Sequence, residues 1–144
     1  MKSINALAKK ISDYLSSKEV NQVLKAYSYA QKAHSGQYRL SGEPYVSHPL
    51  AVANILSSLK MDQDTLSAAL LHDVIEDTGS TKLGIKKEFN ANVANLVDGV
   101  SKLDKLDIQS ATEIQAENFQ KMVLAMSKDI RVVVLKLADR LHNM

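Results

Sequence analysis

The stretch DQDTLSAALLHDVIEDTG, residues 62–79, decides how this chain folds. Leu66, Ala69 and Leu70 recur at three- and four-residue intervals, the spacing of one helix face. Asp62 or Asp64 stands where an N-cap is needed. The apolar run SAALL then leads directly into His72-Asp73, so a buried helix is expected to end on an imidazole and a carboxylate. Glu76 and Asp77 follow within one turn, before the helix breaker Thr78-Gly79.

The same periodicity extends along the chain. Only two prolines and five glycines punctuate 144 residues, and apolar residues recur mostly at helical intervals. This predicts an all-α fold in a single domain, residues 1–144. A first helix is expected over about residues 3–15. Ser16-Ser17-Lys18-Glu19 is a capping-box pattern that opens a second helix, running to about His34. After the irregular stretch 35–47, a third begins near His48-Pro49, with Pro49 suited to its first position. It ends near Leu59, and the fourth is the stretch quoted above. Further helices are predicted over about 80–88, 91–104, 112–127 and 130–144. In the last of these, Ile130 to Val134 is β-branched enough for a strand. Leu135, Leu137, Ala138 and Leu141 continue at helical spacing and favour a buried helix.

Composition narrows the function classes. Apolar residues make up 45% and charged residues 24%, as in an ordinary globular protein. The net charge of +2 gives no global basic field, so nucleic acid is not an expected partner. There is no cysteine, which removes disulfides and thiolate ligands and leaves nitrogen and oxygen to hold any metal. The N-terminus, MKSINALAKKISDYL, has lysines where a signal peptide needs an apolar core. No stretch approaches the roughly 18 apolar residues of a membrane span. The sequence predicts a soluble, cytoplasmic protein without a membrane partner.

His48, His72, Asp73 and Asp139 are the chemically informative residues. Imidazole and carboxylate together suit a divalent metal of intermediate hardness, able to polarise phosphate oxygens and acidify water. Any one of the four also reads as a helix cap or a satisfied polar group. For Asp139 the plain alternative is an ion pair with Arg140 or Lys136. Together, flanked by SAALL and VVVLKLA, they suggest a metal-dependent phosphohydrolase, because a carboxylate within a buried helix needs a partner. Glu76 and Asp77 suit the orientation and deprotonation of water, or protonation of a leaving group. Their plain alternative is a solvated helix terminus, although carboxylates there oppose the helix dipole.

Four segments carry a resemblance: SGEPYVSHP at 41–49, LHDVIEDT at 71–78, LVDGVSKL at 96–103 and KLADRLHNM at 136–144. In order and separation they resemble the hydrolase domain of the RelA/SpoT homologues, alarmone synthetase/hydrolases of the bacterial stringent response within the HD superfamily. The resemblance implies an HD-superfamily helical bundle that stops short of its closing C-terminal helices, leaving apolar residues of the last segments exposed. It implies hydrolysis of the 3′-pyrophosphate of guanosine tetra- or pentaphosphate (ppGpp or pppGpp), giving GDP or GTP and pyrophosphate, usually with manganese. His48, His72, Asp73 and Asp139 would then be metal ligands, and Glu76 and Asp77 would activate the attacking water. Arg39 and Ser41 match positions that contact the nucleotide near its base, and Asn143 one that contacts its ribose region. Leu40 stands where the family often has lysine. Two other readings stay open at this level: a non-catalytic nucleotide-binding or regulatory module, and a phosphohydrolase for another nucleotide.

Overall fold

A computed structural model describes residues 4–37, 42, 46–77, 81–108 and 130–143. Among these residues all regular structure is helical: α1 (Ile4–Ile11), α2 (Ser17–Ala33), α3 (Ser47–Ser58), α4 (Gln63–Leu71), α5 (Val74–Asp77), α6 (Lys82–Glu88), α7 (Ala91–Ile108) and α8 (Ile130–Asn143). The all-α expectation holds, including for the β-branched start of α8. The helix expected over 112–127 lies outside the described residues.

The helix starts follow their caps. Ser16 accepts from the Glu19 amide at 3.2 Å while the Glu19 carboxylate accepts from the Ser16 amide at 2.9 Å, completing the capping box of α2. Asp62, rather than Asp64, caps α4 by accepting from Thr65. Asp64 instead accepts from Gln22 and Asn90, tying α4 to α2 and to the start of α7. Two boundaries differ from expectation. The first helix stops at Ile11, four residues early, and continues only as turns. Pro49 is the third residue of α3, not the first; it is still within the first turn, where an amide has no acceptor inside the helix.

One turn sets the geometry of the site. The Met61 amide donates to Leu56 O and the Lys60 amide to Ser57 O, the paired bonds of a Schellman closure. Lys60 takes the left-handed position at φ 55°, which glycine usually fills. The closure ends α3 and lets α4 start at Gln63, so the two helices form an antiparallel hairpin. The first turn of α3 and the last turn of α4 therefore come together.

Helix α4 lies at the centre and packs against α2, α3, α7 and α8. Every residue from Thr65 to Leu71 is buried, so the helix has no polar face. Leu66, Leu70 and Leu71 are fully enclosed, each stabilising the fold by roughly 1.5–3 kcal/mol relative to exposure. Around them stand Val23 and Ala26 of α2, Leu56 of α3, and Val97 and Val100 of α7. Helix α8 contributes Val132, Leu135 and Ala138. That apolar face continues into Asp139, which is why a carboxylate arrives in the interior. Leu137 and Leu141, read as part of the buried pattern, instead lie on the opposite side of α8 and are 58% and 61% exposed. Among the described residues no helix is long and apolar enough to cross a membrane.

Candidate metal centre

Three helices deliver three potential donor groups to one point. His48 lies in the first turn of α3, His72 is the C-cap of α4, and Asp139 is in the last part of α8. One donor atom from each lies within 4.8 Å of the others, and all three residues are buried. His48 Nε2 is 2.5 Å from Asp139 Oδ1, and His72 Nε2 is 3.2 Å from the same oxygen. The two imidazole rings meet edge to face, their centroids 5.6 Å apart.

Asp73 joins at the edge of this triangle, its Oδ2 3.2 Å from His72 Nε2. Adjacent residues within a helix diverge by about 100°, but helix α4 ends at Leu71 and the His72-Asp73 pair occupies the break before α5. Glu76 and Asp77 belong to the short helix α5 that follows. Their side chains, like that of Asn143, lie outside the described residues, as do Arg39 and Ser41.

The second nitrogen of His72 fixes its role. Its Nδ1–H donates to the Ala69 carbonyl at 2.6 Å, one turn back along α4, so Nε2 faces Asp139 and Asp73. A ligand histidine needs such an outer partner to hold its tautomer and ring orientation. The negative end of α4 also favours a cation at this position.

Electrostatics couple the group. Burial alone would push the His72 imidazole towards neutrality, but its hydrogen bond to Asp139 and the charge of Asp73 outweigh this and raise it to about 9. Burial likewise opposes the charged form of Asp139. The hydrogen bonds from His48 and His72 prevail and hold its carboxyl well below the usual carboxylate range. Lys136 adds a further cation 3.5 Å from Asp139 Oδ2, so the ion pair read as the plain alternative exists alongside the two histidines. The donor set fits a divalent ion: two imidazole nitrogens and carboxylate oxygens converge where the protein itself now supplies protons and an ammonium as counter-charge.

The sequence reading passed over His142. Its ring meets that of His48 end to end, centroids 4.7 Å apart and planes 30° apart, and the two Nδ1 atoms are hydrogen-bonded. The signal was present in the sequence: His142 follows Asp139 by three residues, and such pairs share a helix face.

Comparison with known proteins supplies a family for the chain. Residues 26–144 match the HD domain family. The bifunctional (p)ppGpp synthase/hydrolase SpoT of Escherichia coli is 54% identical over 142 residues, covering 99% of this chain and 20% of that protein. The guanosine-3′,5′-bis(diphosphate) 3′-pyrophosphohydrolase of Haemophilus influenzae is 61% identical over 115 residues, covering 80% of this chain and 17% of that protein. The chain thus spans about a fifth of the length of the curated relatives it matches. A solved structure of a metazoan ortholog of SpoT that hydrolyzes ppGpp shares the fold, with a TM-score of 0.52 and 24% identity across 90% of this chain and 95% of that one. The match covers the helices that carry His48, His72-Asp73 and Asp139, and the chain belongs to the HD domain family.

Proposed function

We propose that this chain is a metal-dependent hydrolase that removes the 3′-pyrophosphate of guanosine tetra- or pentaphosphate, releasing pyrophosphate and GDP or GTP. The observation that carries the proposal is the convergence of His48, His72 and Asp139 from three separate helices on one buried point. The names of the bacterial relatives supply the substrate class.

In this reading His48, His72, Asp73 and Asp139 would hold a divalent ion, manganese in particular, which would supply Lewis acidity towards a phosphoryl oxygen and towards water. Water attacks the phosphorus joined to the 3′-oxygen of the ribose. The bond from that phosphorus to O3′ breaks, pyrophosphate leaves with the water oxygen, and O3′ takes up a proton. Glu76 and Asp77, following the His-Asp pair in α5, orient the water, accept its proton and return one to O3′. Lys136 lies beside Asp139 and adds positive charge at the edge of a site meant for a polyanion. Arg39 and Ser41 hold the nucleotide near its base, and Asn143 contacts the ribose region.

The test is release of pyrophosphate from purified ppGpp by the chain with added manganese, with GDP formed in equal amount. His72→Ala and Asp73→Ala are each expected to lower the rate at least 100-fold, and chelation of the metal to abolish it. Undiminished release by either variant would show that the reaction occurs elsewhere. Preferential hydrolysis of an adenine nucleotide in direct competition would overturn the substrate assignment.

A further inference from the structure

We infer that His142 is a positioning residue that sets the tautomer of His48 and thereby aims His48 Nε2 into the metal centre. The inference rests on the reading of His48 as a ligand and extends it to the other side of the ring. An imidazole that gives the Nε2 lone pair to a metal and stays neutral carries its proton on Nδ1. That N–H must donate to something, and a ligand histidine without such a partner is free to rotate or to change tautomer. For His72 the acceptor is the Ala69 carbonyl. For His48 the group in hydrogen-bond contact with Nδ1 is Nδ1 of His142.

The placement suits this role rather than that of a further ligand. Asp139 meets His48 at Nε2, and His142 meets it at Nδ1, the nitrogen across the ring. His142 therefore lies behind His48 as seen from the three converging donor atoms. Asp139 and His142 are three residues apart on α8, so one helix face supplies both the carboxylate and the partner of its neighbouring ligand. His142 as a whole is exposed, so water can replace part of what its removal takes away. The expected effect is therefore about tenfold, the low end of the range for losing an outer partner of a ligand histidine.

Two substitutions separate the acceptor from the ring. His142→Phe keeps an aromatic ring and removes the acceptor, and it should weaken Mn2+ binding about tenfold in competition with a chromophoric chelator. His142→Asn places an amide oxygen near the position of Nδ1 and should bind within about threefold of the parent. Equal affinity of His142→Phe and the parent would overturn the inference while leaving the metal centre intact. Equal loss in both variants would also overturn it, because the acceptor would then not be what matters. If the parent chain binds no Mn2+, the ligand reading of His48 fails and this inference with it. A second readout is independent of the variants' folding: two-bond 1H–15N spectra of the Zn2+-loaded parent should show His48 protonated at Nδ1 and His142 with a bare Nδ1 that accepts from it. A proton on Nδ1 of His142 would contradict the inference.

Discussion

At the scale of single residues, the proposed metal centre is a site where protons and a metal would compete. In the metal-free chain His72 is raised from its ordinary value near 6.5 to about 9, because its hydrogen bond to Asp139 and the charge of Asp73 overcome the effect of burial. A raised histidine stabilises the fold fully below its unfolded pKa, near 6.5, and loses that contribution as pH rises through about 9. Asp139 is depressed, so its contribution is present above the unfolded value near 3.8 and is lost only in stronger acid. Melting of the chain in excess chelator should therefore be highest between about pH 3.8 and 6.5 and fall from there towards pH 9. A metal held there would reverse the trend, because it would compete with the proton on His72 Nε2. Manganese affinity should rise roughly tenfold per pH unit up to about pH 9, one proton being released per ion bound. In Asp139→Asn the pH dependence of metal-free melting should flatten above pH 6.5. A melting temperature in chelator that rises between pH 6.5 and 9 would contradict this account of the pair.

At the scale of elements, close approach of α7 and α8 holds Asp139 at the correct depth. A Cβ on Gly99 of α7 would lie 2.9 Å from Cγ2 of Val132 on α8, and Val132 is β-branched with few rotamers to offer. Gly99→Ala gains about 0.8–1 kcal/mol of helix propensity. Overpacking against so stiff a neighbour costs typically 1–3 kcal/mol. The net expectation is a loss of up to about 2 kcal/mol in chemical denaturation, with weaker manganese binding because α8 carries Asp139. A variant more stable than the parent would show that the two helices part without strain. The elements were the most legible part of the fold. Ser16 and Glu19 announced α2, and SAALL announced an apolar helix leading into His72-Asp73. The errors arose where sequence spacing is ambiguous. Leu137 and Leu141 fit an apolar pattern on α8, but the face turned inward is the one that carries Val132, Leu135 and Ala138. Pro49 is tolerated anywhere in a first turn, so it does not mark which residue begins the helix.

At the scale of the whole molecule, the site is a product of topology. The Schellman closure at Lys60 folds α3 back along α4, so residues 24 positions apart in sequence become neighbours. Helix α8 crosses both and brings Asp139 from 67 positions beyond His72. His48, His72 and Asp139 were legible in the sequence as residue types beside apolar runs. Their convergence was not, because it depends on how three helices cross. His142 escaped for a related reason: it coordinates nothing by itself, and its role follows only from the ring it touches. The central claim is that this convergence is a metal centre. Anomalous diffraction from crystals grown with manganese tests it most directly. We predict a single strong peak within coordination distance of His48 Nε2, His72 Nε2 and Asp139. A peak elsewhere, or none with the three side chains still hydrogen-bonded to one another, would contradict the account.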